Sequence, residues 1–564
     1  MQRIILSLLI LLAAGCRTLP GTQPAPSYEE LIGAIAAGEE VDVDSLRRSF
    51  ITLPDTSERL QEIVELERQA LVLFADEPLR LGAIGNAIIE LNYASLTGHL
   101  ALQRFYEHLE STEAGAHHGR WVARLQAFIE QKEGKIDSPY QVFSSAEAEA
   151  YLTSRDLEMV GSMYHSRDDY PFMLLTAAKA KQPKNTSTDG DVPDTQSRRL
   201  RNAYFDLSDV FRAAANAIEP TASEEEFSPG VLIGYLAQQG DTAAQAFIGA
   251  YMASERRTDE AIQWLSAASQ RGNLIANLML ARAYWSKTQA STGSEREGFR
   301  QLMLDNYTHA IALGSDEAMF SLGSIYLANE FGEENQTTGV ALVEQSAELE
   351  NPSAALLLAH MHLRGEVVDV DLDKAEDYFH TAAEFGSRRA RMQYARFLID
   401  PTNERTFKDQ ARLWLEELAA EDDPEAMIML GNLHALGVGV SKNHEQALMW
   451  FKSAVSTDDT NPNIVNEVAW TLTVTHMDTL RQEDYALKIM DRMMNADDRA
   501  RNNPAYLDTW AAAYAANGEF EKAVELQKKA LTSAKEQNQI QDLSELEEHL
   551  KTFSEEGTVI NQVP

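Results

Sequence analysis

The sequence has a single cysteine, Cys16, among 564 residues. One thiol cannot form an intramolecular disulfide, and it excludes zinc and iron–sulfur sites that need several cysteines. Basic residues are also scarce, because 49 Lys and Arg stand against 87 Asp and Glu and leave a formal net charge of −38. This balance argues against binding to a nucleic acid backbone, which requires many cations on one face. No nucleic acid partner is therefore expected.

Familiar catalytic motifs are missing as well. The sequence has no glycine-rich phosphate loop, no G-x-S-x-G and no H-E-x-x-H pattern. His117 and His118 could be metal ligands, but adjacent residues on a helix point about 100° apart. A hydrogen-bonded surface pair is the alternative interpretation of these two histidines. The sequence therefore predicts no cofactor, no metal site and no enzymatic activity.

Long apolar runs are confined to the N-terminus. Met1, Gln2 and Arg3 precede an apolar run over residues 4–14. The run is too short for a spanning helix, which needs roughly 20 apolar residues. A short basic segment followed by such a run is typical of a signal peptide. We therefore expect residues 1–15 to be removed from the mature protein.

The residues around Cys16 predict a lipid anchor. Ala13, Ala14 and Gly15 lead into the only cysteine, and this arrangement resembles the bacterial lipobox, although Ala13 stands where leucine is usual. The resemblance implies lipidation of Cys16, including palmitate, with residues 16–27 as a tether. Because Arg17 rather than aspartate follows the cysteine, it also implies the outer membrane, on its periplasmic face. A simple secretory signal is the alternative.

A fixed period of 36 residues runs through the second half of the chain. Small residues recur at this spacing in two registers, and larger apolar and aromatic residues recur beside them. The small residues of the first helix are Ala318, Ala354, Ala390, Ala426, and then Gly323, Ala359, Ala395, Gly431. Each period is long enough for two helices, and a single helical hairpin cannot bury its apolar face alone. The period therefore predicts a stack of helical hairpins.

The ends of the predicted helices carry recognisable capping residues. Asn351 and Asp423 each precede a proline, which suits a helix N-cap followed by proline in the first turn. Gly365 and Gly437 follow the apolar pattern where a left-handed C-terminal residue is needed. These signals predict where the first helix of two repeats begins and ends.

The repeats over residues 228–457 resemble Sel-like repeats, relatives of the tetratricopeptide repeat. The clearest copy runs from Leu430 to Val440 and continues into Ala447 and Trp450. The spacing of apolar and small residues over 461–553 resembles ordinary tetratricopeptide repeats, with a capping helix over 541–553. The resemblance implies a right-handed superhelical solenoid of helix–turn–helix repeats.

The N-terminal third lacks this clean period. Residues 28–218 read as an irregular helical domain by pattern, interrupted by a polar segment over 182–199 with the composition of a mobile loop. Residues 219–229, which include three consecutive glutamates, form the expected boundary to the repeats. The fold class predicted for the whole chain is therefore all-α.

One position of the first helices predicts a binding groove. The residue that follows the small packing position should project from the first helix into the concave surface of the solenoid. The predicted groove residues are Arg282, Ser324, His360, Arg396 and Asn432. Two guanidinium groups on so acidic a chain could hold partner carboxylates. The alternative is that these are ordinary solvated positions, and His362, two residues after His360, is expected to pack in the core.

Anchoring and repeats together favour one function over two others. We expect a non-enzymatic scaffold that binds other envelope proteins or their peptides in the groove while its lipid holds it at the membrane. One alternative is a component of an envelope export or exopolysaccharide secretion machine, by resemblance to repeat-bearing lipoproteins of such machines. The other alternative is a hydrolase in the N-terminal domain.

Overall fold

The computed structural model describes residues 25–561 apart from short gaps. The gaps are residues 75, 182–198, 219–228, 333–334, 387, 459–460, 497 and 538–542. The predicted signal peptide, Cys16, most of the tether, the polar loop and the 219–229 boundary therefore lie outside the described residues. The chain divides into two compact units, Met1–Ala318 and Met319–Pro564. The predicted domain boundaries remain predictions.

The N-terminal third combines helices with one small sheet. Its helices are α1 Tyr28–Ala36, α2 Val43–Ile51, α3 Thr56–Leu73, α4 Leu81–Leu91, α5 Leu96–His108, α6 Thr112–Ile129, α7 Ser145–Ser154 and α8 Ser208–Ile218. Its strands are β1 Tyr140–Gln141, β2 Leu157–His165, β3 Met173–Ala180 and β4 Arg201–Asp206. The strand order is β1-β4-β3-β2, and only the β1–β4 pair is parallel.

The sheet corrects the expectation that residues 28–218 are helical throughout. Strand β3 reads MLLTAAKA, and its leucines and alanines are good helix formers. Five of its residues, on both faces, are buried, so the strand shows a nearly continuous apolar run rather than alternation. A short run of this kind cannot be told from a buried helix by its periodicity. The strand pairing, which joins residues far apart in the chain, decides the conformation.

The repeat region consists of paired helices, in which a first helix is followed by a second. The first helices are α10 Thr242–Ser254, α12 Leu274–Ala290, α14 Asp316–Leu327, α16 Pro352–Arg364, α18 Arg388–Ile399, α20 Pro424–Leu436, α22 Pro462–Val474 and α24 Pro504–Ala516. The second helices are α11 Thr258–Ser269, α13 Gly293–Ala312, α15 Gln336–Glu348, α17 Leu372–Phe385, α19 Asp409–Ala420, α21 His444–Thr457, α23 Glu483–Ala496 and α25 Phe520–Glu536. Helix α9, Pro229–Gln238, precedes them and α26, Leu543–Ser554, follows them.

The predicted caps are confirmed at both ends of the first helices. The Asn351 and Asp423 side chains accept hydrogen bonds from the backbone N–H groups of Ala354 and Ala426. Gly365 and Gly437 end α16 and α20 with φ angles of +72° and +76°. This left-handed conformation suits glycine because it has no Cβ to clash.

Small residues let the two helices of a repeat approach closely. A Cβ atom built on Gly431 would lie 2.6 Å from the ring of Phe451, on the second helix of the same repeat. Phe451 is completely buried, as are Ala359 and Ala395 at the equivalent position of earlier repeats. The predicted helical fold of stacked helix–turn–helix repeats is therefore confirmed, with the N-terminal sheet as an addition to it.

The first repeats pack directly on the N-terminal sheet. Strand β2 contacts both α10 and α12. The Asn273 side chain caps α12 and also donates a hydrogen bond of 2.8 Å to the backbone carbonyl of Ser162 on β2. A Cβ atom on Gly161 would lie 3.1 Å from the backbone nitrogen of Ile275, so the strand passes close to the helix start. The sheet thus closes the open end of the repeat stack within the first unit.

Candidate protein-binding groove

The five predicted groove residues occupy one equivalent position on five successive first helices. His360 lies nine residues after the cap residue Asn351, and Asn432 lies nine residues after Asp423. The first-helix row is the set of residues at this position: Arg282 on α12, Ser324 on α14, His360 on α16, Arg396 on α18 and Asn432 on α20. Arg282 belongs to the first unit, and the other four belong to the second.

Three members of the first-helix row contact the next first helix along the chain. The Arg282 guanidinium lies 2.5 Å from the Glu317 carboxylate on α14. The His360 Nε2 lies 2.7 Å from the Gln393 side-chain oxygen on α18. An Arg396 guanidinium nitrogen lies 3.7 Å from the Glu425 carboxylate on α20. The row is therefore a polar ladder that links neighbouring first helices.

Successive first helices of the second unit touch one another. Helix α18 contacts α20, and α22 contacts both α20 and α24. Close approach between first helices is what the inner side of a curved stack of hairpins requires. The position of Arg396 and Asn432 on a concave side remains a prediction.

Both arginines of the row already have carboxylate partners. The Arg282 side chain is 50% exposed and pairs with Glu317, and Arg396 is 59% exposed and pairs with Glu425. Glu425 is shared with a second guanidinium, that of Arg388, at 3.4 Å. Exposed ion pairs contribute only about 0–1 kcal/mol, so they can be exchanged. An acidic partner would have to displace these glutamates to reach the arginines.

Glu467 on α22 extends the charged surface to a third helix. Its side chain is exposed, yet the surrounding protein removes enough water to raise its pKa. The positive charge of Arg396 opposes this rise, and the negative charge of Glu425 adds to it. A carboxylate that is both exposed and desolvated fits a concave wall. Arg396 therefore interacts with two carboxylates, those of Glu425 and Glu467, and the sequence pattern pointed to neither because it singled out one position per helix.

Three residues of the first-helix row also have side-chain atoms that no described residue hydrogen-bonds. Ser324 Oγ, His360 Nδ1 and Asn432 Oδ1 are buried and have no hydrogen-bond partner among the described residues. Asn466 Oδ1, on α22, is also buried without a hydrogen-bond partner among the described residues. A buried polar atom without a partner costs about 1–3 kcal/mol, so a ligand that supplies the missing bond gains affinity. These atoms are suited to the backbone amides of a peptide.

His360 and His362, both on α16, pack against aromatic rings. His362 is 5% exposed, and its ring stacks on Tyr378 at 5.9 Å, as expected for a core residue. The His360 ring meets Phe379 edge to face at 5.2 Å. The predicted packing role of His362 is confirmed, and His360 is anchored by one ring nitrogen and one ring edge.

The histidine pair of the N-terminal third is only partly a surface pair. His117 is exposed and lies 3.3 Å from the Tyr93 hydroxyl, whereas His118 is buried and its Nδ1 lies 2.9 Å from the Nδ1 of His99. Burial lowers the pKa of His99 to about 3 and that of His118 to about 4. The surface interpretation was therefore wrong for His118. Within the described ranges, no group of three side chains suited to metal binding comes together.

A buried carboxylate pair in the N-terminal third was not foreseen. Glu147 accepts two hydrogen bonds from Arg47, at 2.8 and 3.0 Å, and is 1% exposed. Glu67, which is 2% exposed, accepts hydrogen bonds from Ser95 and Ser144, at 2.9 and 2.5 Å. Burial, followed by the charge of Glu147, raises the pKa of Glu67 to about 7. These enclosed carboxylates join α2, α3, the start of α5 and α7 through hydrogen bonds.

Comparison with known proteins supports the assignment of the repeats. The Sel1 repeat model matches residues 242–273, 316–351, 352–387 and 424–456. None of the curated proteins matches the chain. Among solved structures, the Sel1 repeat protein of Oxalobacter formigenes is 18% identical over 55% of this chain and 89% of its own, with a TM-score of 0.37.

Two further solved structures are also similar to this chain at low sequence identity. The protective antigen c5321 of uropathogenic Escherichia coli, described as having an SLR fold, is 18% identical over 63% of this chain and 76% of its own, with a TM-score of 0.40. Yeast Tom70 is 11% identical over 93% of this chain and 94% of its own, with a TM-score of 0.31. The four matched segments fall on the helix pairs α10–α11, α14–α15, α16–α17 and α20–α21. These four helical hairpins therefore match the Sel1 repeat model.

Proposed function

We propose that the protein is a non-catalytic scaffold that binds segments of other proteins along the first-helix row. The observation that carries this proposal is the set of buried polar atoms without partners at equivalent positions of successive repeats, Ser324 Oγ, His360 Nδ1 and Asn432 Oδ1. Stacked helical repeats present long continuous surfaces of this kind, and Sel1 and related repeats are suited to protein–protein interaction.

Recognition would combine backbone hydrogen bonds with exchangeable ion pairs. An extended segment lying across α14, α16 and α20 would bond to Ser324, His360 and Asn432. Its charged side chains would meet a mixed surface, because Arg396 stands beside Glu425 and the pKa of Glu467 responds to both charges. A segment with both acidic and basic side chains fits this surface better than a purely acidic one.

We also propose that the scaffold is held at the periplasmic face of the outer membrane by lipid on Cys16. The support is the apolar run over residues 4–14 and the small residues before the single cysteine. No helix in the described part of the chain is long and apolar enough to cross a bilayer. Several acyl chains on one residue would anchor the protein stably, since a single chain binds only marginally.

The anchor is tested by cell fractionation. Cys16→Ala should move the protein from the membrane fraction to the soluble periplasmic fraction. Arg17→Asp is the matched variant, because aspartate after the cysteine resembles the inner-membrane retention signal, and it should shift the protein to the inner membrane. Membrane retention of Cys16→Ala would contradict the anchor.

The binding surface is tested by crosslinking in intact cells. The double variant His360→Ala/Asn432→Ala removes two row members, and it should lose the discrete envelope protein that the wild type captures. The control is Leu413→Ala/Met449→Ala, which changes exposed residues of the second helices α19 and α21. Equal capture by all three proteins would show that the first-helix row is not the binding surface.

A further inference from the structure

The segment after α26 folds back onto the end of α22. The backbone N–H of Asn561 donates to the carbonyl of Val474 at 2.7 Å, and the carbonyl of Asn561 accepts from the N–H of His476 at 3.1 Å. Asn561 and Thr475 thereby form a parallel β-bridge. The chain therefore binds one of its own extended segments, residues 557–561, which we call the C-terminal strap.

The strap combines backbone hydrogen bonds with an inward apolar side chain. Val559, two residues before Asn561, packs against the core of the second unit, whereas Ile560 is 51% exposed. This alternation is that of a strand lying with one face on the protein. The reversal that leads into the strap uses Glu556 with a positive φ of +56° and a hydrogen bond of 2.9 Å from Gly557 N–H to the Thr552 carbonyl. The inward side chain of Val559 and the two backbone hydrogen bonds of Asn561 therefore dock the strap.

The receiving edge also has hydrogen bonds that do not involve the strap. Thr475 is completely buried, and its carbonyl accepts two hydrogen bonds from the Arg481 guanidinium, at 3.1 and 2.9 Å. The N–H of Gln482 donates to the Leu472 carbonyl at 2.9 Å and closes the turn between α22 and α23. These bonds would hold the Val474 carbonyl and the His476 N–H in place as a donor–acceptor pair once the strap is released.

The C-terminal segment also covers the next position of the polar ladder. Trp470 lies nine residues after the cap residue Asn461 of α22, so it is the equivalent of Asn432 in the following repeat. The ring of His549, on α26, lies 5.8 Å from the Trp470 ring. The same His549 is hydrogen-bonded to Asp508 on α24. Helix α26 thus contacts the Trp470 position of α22, and Asn561 bonds to the end of the same helix.

We propose that the edge formed by Val474, Thr475 and His476 is a docking site for an extended peptide. The peptide would carry a small apolar residue two positions before the residue whose backbone bonds to the edge. The C-terminal strap is its resident occupant, and a partner segment displaces it. The identity of the partner depends on the scaffold role proposed above, whereas the docking of the strap does not.

The strap competes with a partner segment for the same edge, and its tether to the rest of the chain sets its effective concentration there. A short flexible linker gives the strap an effective concentration in the millimolar range. A free peptide with the same contacts would therefore compete only at about millimolar concentration. A partner segment that also bonds to Asn432 and Asn466 makes more contacts, so it would displace the strap at lower concentration. The strap would then exclude weakly binding segments, and only segments that also bond to Asn432 and Asn466 would displace it.

Hydrogen exchange in the full chain tests the proposal. Removing residues 557–564 should speed exchange of the His476 amide about tenfold, and Val559→Asp in the intact chain should do the same, since both release the strap. Adding a synthetic peptide of residues 557–564 at about 5 mM to the truncated protein should restore protection. The same peptide with Val559→Asp should not.

Two results would overturn the proposal. One is unchanged exchange at His476 in both released variants, since the strap would then not protect this edge. The other is loss of protection throughout α22 and α23 in both variants, since the segment would then be an ordinary part of the fold. The His360→Ala/Asn432→Ala crosslinking experiment is scored separately, so failure of the scaffold role leaves the exchange result interpretable.

Discussion

His549 Nδ1 lies 2.9 Å from Asp508 Oδ1, and the pair fixes α26 against α24 in a buried position. Burial alone would lower the pKa of His549, but the hydrogen bond and negative charge of Asp508 outweigh it, so the pKa is raised. Gln527 donates to the same carboxylate at 2.6 Å. The capping helix is thus attached by a charged hydrogen-bond network as well as by apolar contacts.

His549→Gln should destabilise the second unit in a pH-dependent way. A histidine whose pKa is higher in the folded state stabilises the fold fully below its unfolded value of about 6.5, and this contribution is lost as pH rises through the folded value. The variant should therefore lose about 1–3 kcal/mol at pH 5.5 and clearly less at pH 9. Urea unfolding at both pH values measures this. An equal loss at the two pH values would mean that only packing is involved.

Glu67→Gln should also remove a fall of stability with rising pH, here in the first unit, but it should do so by stabilising the protein at high pH. Because the pKa of Glu67 is raised to about 7 in the fold, the folded state binds a proton that the unfolded state releases near pH 4.5. Stability therefore falls as pH rises between these values, by on the order of 1–3 kcal/mol. The amide does not ionise, so the variant should be more stable than the wild type at pH 8 and similar at pH 4.

The control for Glu67 is Glu62→Gln, which changes an exposed glutamate on the same helix α3. Thermal unfolding at pH 4, 6 and 8 compares the three proteins. A Glu67 variant that is less stable than the wild type at every pH would mean that the carboxylate is ionised and needed at neutral pH. That outcome would contradict the raised pKa.

Gly431→Ala should destabilise the second unit through overpacking. The added Cβ would lie 2.6 Å from the Phe451 ring, which is fully enclosed and cannot move away. Overpacking of this kind costs about 1–3 kcal/mol. Gly298→Ala is the contrasting change, because nothing lies within 4 Å of its Cβ position on α13. It should stabilise by about 0.5–1 kcal/mol, and equal melting temperatures for the two variants would contradict the packing argument.

The repeats could be predicted because each repeat carries its own local signals. Asn351 and Gly365 mark the two ends of one helix, and the period of 36 residues repeats such positions along the chain. Gly431 could be assigned to a helix contact because small residues recur at its position. Local capping and a fixed period together therefore define the helices and the order in which they pair.

Features that depend on distant residues could not be predicted in this way. Strand β3 pairs Leu174 with Phe205 across the segment 182–198, and no local pattern indicates that pairing. The partner of Arg396 is Glu425 because of the angle between successive first helices, which a sequence does not specify. The strap contact between Asn561 and Val474 joins two segments without any repeat signal. The row itself was identified, but the groups that neutralise it were not.

We expect the first-helix row to bind an acidic peptide more tightly once Glu425 is removed. Glu425→Ala removes the carboxylate that stands between Arg388 and Arg396, so the guanidinium of Arg396 becomes available to a ligand. Affinity for a labelled tetraglutamate peptide should rise by up to about fivefold, the value of an exposed ion pair. The gain should shrink at 0.5 M salt, because exposed charges are then screened.

Fluorescence anisotropy measures this affinity, with two matched variants. Glu421→Ala removes an exposed glutamate at the end of α19, which controls for the change in net charge alone. Glu425→Ala/Arg396→Ala removes the released guanidinium and should return the affinity to that of the wild type. If both single variants bind the peptide equally, the gain comes from the general charge of the chain, and Arg396 serves only to join α18 to α20.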